Sequence, residues 1–401
     1  MTGMPKTHGM DGTLVAPDWP ALTLTEVRRL IERFPGLDGP VEILTESPRP
    51  FSAAGLVKTA AGPVFVKRHA RDVRDRDGLA EEHRFMAYLR QHGAAVPRVF
   101  ADAGGATAIE EGDWTYEAHA AAPGVDLYGD ALSWTPFRST RHACAAGEAL
   151  ARMHIASEGF NAPRRKTQPL VASFTIFAAV DPSAAMDEYL GERPSLAGHA
   201  KVRACADEAL ELLAPFHARL RPMLPALTPL WTHNDLHASN LLWCDAGLLR
   251  SNAGSQSDFD ARATAIIDFG LADRTNAVHD LAHAIERNIV EWLVLAASPD
   301  EPDAVPVHRD HLEALLAGYE SARPLTAAER AALVPMTALC HAEFALSEAD
   351  YFAGILKSEE KAAMAYEGWL VGHARWFHSR AGQRLLDWIA QWAHAHAGAA
   401  R

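Results

Sequence analysis

Cysteine is scarce in this chain, and its placement excludes two uses. Cys144, Cys205, Cys244 and Cys340 are the only four in 401 residues. No two of them share the close spacing of a thiolate metal site. They are expected to be reduced core thiols of a cytoplasmic protein. An excess of basic charge is missing too. The 38 Lys and Arg are outnumbered by 51 Asp and Glu, a formal net charge of −13. That argues against bulk binding of nucleic acid or an anionic membrane, which needs a basic surface. It leaves room for a local basic groove around a phosphate ligand. No apolar run approaches the roughly 18 residues of a membrane span. The opening MTGMPKTHGMDG has no apolar stretch of the secretory-signal kind. Internal repeats and long low-complexity tracts are also lacking. What remains is ordinary globular composition, 48% hydrophobic and 22% charged. A chain of this length suggests two domains or lobes.

Two halves of different pattern follow. Residues 1–20 read as a flexible N-terminal arm. Thr23 and Glu26 then form a capping-box signature before Leu24, Val27, Leu30, Ile31 and Phe34 at helical spacing. VEILTE, AGLVKT and PVFVKRH, within 41–69, predict an antiparallel meander. Residues 79–92 predict a helix, and VPRVFADAGG and TAIEEGDWTYEAH one further strand each. The first half is thus an α+β unit of about five strands and one key helix, over 21–118. From about 140 the pattern is mostly helical, as Leu281, Ile285, Ile289 and Leu293 illustrate by their four-residue spacing. The exception is NLLWC and ATAIIDF, two strands around a polar tip (247–263) that predicts a flexible hairpin.

The chemistry concentrates in WTHNDLHASNLLW (231–243) and AIIDFG (265–270). Together they read H-x-D-x-x-x-x-N, strand, hairpin, I-D-F-G. Each part alone is weak; in this order, about 30 residues apart, they point to phosphoryl transfer. A carboxylate must take or orient the proton of the attacking hydroxyl, and Asp235 fits. Mg²⁺ takes hard oxygen ligands, which Asn240 and Asp268 supply. Gly270 after the metal carboxylate predicts a sharp bend. Upstream, Lys67 in PVFVKRH can reach phosphates as a point charge. Glu82, preferred over the adjacent Glu81, can pair with Lys67 and hold it.

This set resembles the aminoglycoside phosphotransferase family, the kinase-like enzymes that include aminoglycoside, choline and homoserine kinases. The resemblance covers about residues 25–300, and includes GEALARMHIAS (147–157) and Asp280 after the IDFG element. It implies a protein-kinase-like bilobal fold. An N-terminal lobe (21–118) with an antiparallel sheet would hold the nucleotide, and a mostly helical C-terminal lobe (119–401) the catalytic loop and acceptor. It implies MgATP as donor and a small-molecule hydroxyl as acceptor. Asp235 is then the catalytic base, Asn240 and Asp268 hold magnesium, and Lys67 with its partner Glu82 holds the nucleotide. The loop SPRPFSAAG (47–55) would cover the phosphates, with Ser52 as a contact. The adenine hinge falls within Tyr116–Ala121, represented among the nucleotide contacts by His119, with its register left open. Asp280 is usually structural in the family. Two departures stand out: Asn234 replaces the family's usual Gly before the catalytic Asp, and the phosphate loop is poor in glycine.

Rival readings are weaker. His233, Asp235 and His237 could form an H-x-D-x-H metal site, but no further ligand cluster lies nearby in sequence. His233 fits better as a loop-fixing residue, and Phe269 as a core plug. About ten residues separate Asp268 from Val278, too few for a protein kinase's activation segment, and no A-P-E follows. A non-catalytic nucleotide-binding module remains the other alternative. Acidic residues toward the C-terminus, among them Asp273, Glu286, Glu291, Glu343, Glu348, Asp350, Glu359 and Glu360, read chiefly as a solvated face, with some able to meet a cationic substrate. Tyr351, Phe352, Trp369, Trp376 and Phe377 could box a quaternary ammonium but more often are core.

Overall fold

A computed structural model describes residues 7–8, 14–244 and 261–396. Much of the expected N-terminal arm and the tip of the expected hairpin (245–260) lie outside the described residues. The chain opens with β1 (Thr7–His8) paired to β2 (Leu14–Val15). Helix α1 (Leu24–Ile31) starts at the predicted capping box. The Thr23 hydroxyl accepts from the Glu26 amide at 3.2 Å, and the Glu26 carboxylate accepts from the Thr23 amide at 3.1 Å. Two otherwise orphaned amides are thereby satisfied. Val27, Leu30 and Ile31 are buried on one face of this helix.

The meander follows as β3 (Glu42–Glu46), β4 (Ala53–Thr59) and β5 (Gly62–Ala70), then α2 (Arg76–Gln91), β6 (Ile109–Glu111) and β7 (Trp114–Ala120). They form a five-stranded antiparallel sheet in the order β3-β4-β5-β7-β6. Strand alternation then divides its faces. Val64, Val66, Tyr116 and Ala118 join Val27, Leu30 and Ile31 in a small core. Lys67 and His69 point the other way, with Lys67 opposite Glu117, His69 opposite Thr115, and Phe65 opposite His119. The number of strands agrees with the sequence, but their membership does not. TAIEEGDWTYEAH makes two strands, because Gly112 at φ 59° turns the chain back between them. VPRVFADAGG makes none. Pro97 has no donor, and the Asp102 carboxylate accepts from the amides of Gly104 and Ala106, curling the segment into a turn. Only Val99 bridges to His119.

The second lobe begins with α3 (Thr140–Ser157), α4 (Pro182–Gly191) and α5 (Ala200–Leu220). Two small antiparallel pairs follow. β8 (Pro229–Thr232) pairs with β11 (Asp273–Asn276), and β9 (Leu241–Cys244) with β10 (Arg262–Ile266). They bracket the two motif segments and bring them side by side. The rest is helical: α6 (Ala277–Ile289), α7 (Trp292–Ala297), α8 (Arg309–Ala322), α9 (Ala327–Leu339), α10 (His341–Asp350), α11 (Glu359–Ala363), α12 (His373–Trp376) and α13 (Arg380–Ala395). Helices α3 and α8 meet backbone to backbone. A Cβ added at Gly147 would lie 2.0 Å from the Leu315 carbonyl oxygen, and one at Gly318 would lie 1.9 Å from that of Cys144. Only glycine permits this approach. The main core runs from Phe85, Met86 and Leu89 of α2 into the helical lobe, so α2 belongs to both lobes by packing. No described helix is long and apolar enough to cross a membrane.

The cysteines are free, as expected, but not all in the core: Cys340 is buried, Cys205 and Cys244 are half-buried, and Cys144 is exposed. The solvated acidic face is corrected in part. Glu359 and Glu360 are exposed and Glu291 is half-buried, but Asp273, Glu286, Glu343, Glu348 and Asp350 are buried, because backbone amides or arginines reach most of them. Thus Glu343 accepts from the Ile176 amide at 2.7 Å and Asp273 from the Arg165 amide at 2.8 Å. Tyr351, Phe352, Trp369, Trp376 and Phe377 are all core residues.

Candidate active site

The loop after β8 is fixed from below by one carboxylate. Asp280 on α6 accepts from the amides of His233 and Asn234, each at 2.8 Å, and meets His154 Nε2 of α3 at 3.0 Å. This is a structural task, as the family pattern implies. His233 ties the loop to the second motif: its Nε2 donates to the Ile267 carbonyl at 2.9 Å, and its Nδ1 accepts from the Asp235 amide at 3.2 Å. The first of these bonds puts a proton on Nε2. The ring stands edge-on to Phe269, which is buried.

Asn234 sits at φ 61°. That is the left-handed region, where glycine is free and asparagine is the best-tolerated alternative. Its amide side chain is put to use. Oδ1 accepts from the Thr232 hydroxyl at 2.8 Å, and Nδ2 donates to the Ala172 carbonyl at 3.0 Å. The departure from glycine therefore keeps the backbone shape and adds buried bonds.

Asp235 and Asn240 leave this loop together. Asn240 Nδ2 donates to the Asp235 carbonyl at 2.9 Å and to its carboxylate Oδ2 at 3.1 Å. Arg287 of α6 stands 3.3 Å from the other carboxylate oxygen. Burial pushes the Asp235 carboxyl up to about 6, with Asp268 adding to the rise and Arg287, His233 and Asn240 opposing it.

Asp268 faces Asp235 across the cleft floor, at φ 62°. The sharp bend is thus made by the carboxylate residue, and Gly270 has no positive φ. The reason lies downstream. The Gly270 carbonyl is pinned by Arg165 at 2.8 Å and Arg74 at 3.0 Å, so the turn closes before it. Asp268 Oδ1 accepts from Lys67 Nζ at 2.9 Å. Burial works to raise this carboxyl, but Lys67 outweighs it and holds it near 2. For Lys67, burial works downward, and Asp268, Glu117 and Glu82 together hold its ammonium above the usual range.

The expected Lys67–Glu82 pair is not formed. Glu82 lines the same cleft, but its nearest cation is Arg165, at 3.6 Å. Arg165 is a planar fork with several donors and also holds the Gly78 carbonyl at 2.8 Å. It draws the α2 carboxylates toward itself and leaves Lys67 to Asp268. Ser52 lines the cleft beside Lys67. Its neighbour Phe51 packs edge-on against Tyr351 of the helical lobe, with ring centroids 5.2 Å apart. His119 is not among the cleft-lining residues. Its imidazole turns to Glu117, at 2.7 Å. The hinge window is also narrowed. Tyr116–Ala120 pair with β5, and the Ala118 carbonyl and Ala120 amide bond Phe100 and Arg98, each at 2.8 Å.

Several functional candidates escaped the sequence reading. Arg287, Arg74 and Arg165 are buried arginines with no local motif. Glu348 was visible only as one acidic residue among many. In the fold it lines the cleft with Asp235 and is fully buried, and neither carboxylate oxygen has a hydrogen-bond partner among the described residues. Burial raises its carboxyl well above the usual range.

Fold and site together define a kinase-like phosphotransferase: a bilobal α+β architecture with a lysine and two carboxylates lining the interlobe cleft and an amide bonded to one of those carboxylates. The chain belongs to the phosphotransferase enzyme family (APH), whose model matches residues 52–325. Solved structures share the fold. A microcompartment-associated aminopropanol kinase aligns at 17% identity and TM-score 0.56, covering 90% of this chain and 100% of its own. An amicoumacin kinase aligns at 15% identity and TM-score 0.52, covering 88% and 94%. A choline/ethanolamine kinase family protein from Mesorhizobium loti aligns at 17% identity and TM-score 0.50, covering 92% and 99%. A search of curated proteins finds no match.

Proposed function

We propose that this protein transfers the γ-phosphate of ATP, with Mg²⁺, to a hydroxyl of a small molecule. The observation that carries this reading is that two pairs, Lys67 with Asp268 at 2.9 Å and Asn240 with Asp235 at 3.1 Å, come to one cleft from β5, the loop after β10 and the loop after β8. Asp235 orients the acceptor hydroxyl and takes its proton. The donor set suits a hard cation. Asn240 commits its Nδ2 to Asp235 and keeps its carbonyl oxygen, while Lys67 takes one oxygen of Asp268 and leaves the other. When bound there, Mg²⁺ would offset charge on the phosphate oxygens. Lys67, whose ammonium carries further donors besides its bond to Asp268, could also donate to a phosphate oxygen. Catalysis is then positioning plus electrostatics. The amicoumacin kinase was solved with AMP-PNP and Ca²⁺, which supports a nucleotide and a divalent ion for this reading. Ser52 lines the cleft with Lys67, which supports a phosphate contact in this reading. In this reading the purine edge falls to backbone groups after Ala120 other than the Ala121 amide, which donates to the Pro63 carbonyl at 3.3 Å.

For the acceptor, Glu348 is the discriminating residue. A buried carboxylate without a partner is costly, and an ammonium group on the acceptor would satisfy it beside Asp235. We therefore favour a hydroxylated amine, such as an amino alcohol or an aminoglycoside, over a neutral sugar. ADP release measured against hydroxylated amines and neutral sugars tests this. Turnover with an amine supports the reading, and turnover with sugars alone removes Glu348's part in it.

A further inference from the structure

Behind the nucleotide lysine, on the same face of the sheet, three histidines converge on one carboxylate. Glu117 of β7 is fully buried. His83 Nε2 of α2 and His119 Nε2 of β7 each lie 2.7 Å from its Oε2. His69 Nε2 of β5 lies 2.8 Å from its Oε1. The His83 and His119 rings stand nearly perpendicular, 79° apart. Glu117 adds to the field that keeps Lys67 charged, but the phosphotransfer reading gives the three imidazoles no task.

We infer that His83, His119 and Glu117 form a binding site for a divalent transition-metal ion of the zinc class. The two Nε2 atoms and the carboxylate oxygen lie within 4.8 Å of one another. Two imidazoles and one carboxylate form a donor set that suits zinc and its neighbours and leaves a coordination position open. A tetrahedral ion about 2.0–2.1 Å from each ligand needs donor atoms about 3.3 Å apart. Small side-chain rotations would open the 2.7 Å contacts that far. The surroundings are those of a supported metal site. His83 Nδ1 meets the Thr107 hydroxyl at 2.8 Å, which fixes the ring and leaves Nε2 for the ion. His69 holds the carboxylate oxygen that faces away from the two other imidazoles. The proton count is simple. With the ion on Nε2, each ring carries its proton on Nδ1, and for His83 the Thr107 hydroxyl accepts it. The ligands come from α2 and β7, so the ion would clip the helix carrying Glu82 to the strand opposite Lys67. The inference is independent of the phosphotransferase reading.

The test is a Zn²⁺ titration of tag-free, full-length protein stripped with a chelator, read by a competing chromophoric chelator and by thermal unfolding. Co²⁺ would be used in parallel for its visible absorption. The expected result is one tight Zn²⁺ per chain, a raised unfolding temperature and a low-coordinate Co²⁺ spectrum. The His83→Gln and His119→Gln variants should each bind at least a hundredfold more weakly, and His69→Gln about ten- to a hundredfold. His308, Asp310 and His311 form a second, surface cluster, so His311→Ala is the control and should change nothing. Failure of the folded wild-type chain to bind Zn²⁺ stoichiometrically would overturn the inference, whatever the variants do. So would tight binding that survives in His83→Gln and His119→Gln.

Discussion

Lys67 and Asp268 are joined at 2.9 Å although 201 residues separate them in sequence. One comes from the central strand of the sheet and the other from the loop after β10. This bond ties the sheet to the helical lobe at the cleft, and under the proposed function it couples the charge that would meet phosphate to the carboxylate that would hold the metal. It also explains why Lys67 does not turn to Glu82. Asp268→Ala should therefore weaken ATP binding about tenfold or more in the presence of Mg²⁺ and have little effect in a chelator. Calorimetric titration under both conditions checks it. An equal loss in both would assign Asp268 to the lysine alone.

Asn234 carries a backbone requirement and a side-chain requirement that two substitutions separate. Asn234→Gly keeps the left-handed backbone and loses the bonds to Thr232 and Ala172. Asn234→Ala loses both, and should be the less stable by about 1 kcal/mol or more. Denaturant unfolding of the two variants gives the difference. The reverse order would show that the left-handed conformation is not what constrains this position.

The acid limb of the activity profile should belong to Asp235. Its carboxyl is held up to about 6, by burial first and by Asp268 second. It accepts a proton only when ionised, so kcat/KM should fall as pH drops below about 6 and level off above it. Arg287 pulls in the opposite direction. Arg287→Met should move the limb to higher pH. A limb that stays in place would assign it to another group.

Glu348 should act on the acceptor and not on the nucleotide. Glu348→Gln removes the charge and keeps the shape. The KM for a hydroxylated amine should rise about tenfold or more, with the KM for ATP nearly unchanged. Steady-state kinetics with each substrate varied in turn makes the distinction. A rise in both would mean that the cleft itself has been deformed.

What could be read in the sequence was local. Asp235, Asn240 and Asp268 stand in two short segments whose spacing already encodes the turn, the strand and the next turn. The capping box of α1 and the three-strand meander are local in the same way. The rest depends on which distant side chain arrives first. Arg165 lies in an irregular stretch after α3, and nothing in its neighbours announces that it will claim Glu82. The Glu117 cluster gathers residues from β5, α2 and β7, so it exists only once the sheet and helix are packed. Glu348 was hidden for the opposite reason. Acidic residues are common on solvated helices, and only burial without a partner distinguishes this one. VPRVFADAGG misled because its apolar residues alternate well enough for a strand, while Pro97 and the turn at Asp102 limit its pairing with β7 to Arg98, Val99 and Phe100.

The most direct test of the central claim is ADP formation from ATP and Mg²⁺ by wild type and by Asp235→Asn, across a panel of hydroxylated amines and sugars, with ATP affinity measured on both proteins. The account predicts turnover with a hydroxylated amine, a loss of about 10²- to 10⁴-fold in the variant, and unchanged MgATP binding. Wild-type turnover in the variant, or a wild-type chain that does not bind MgATP, would contradict it.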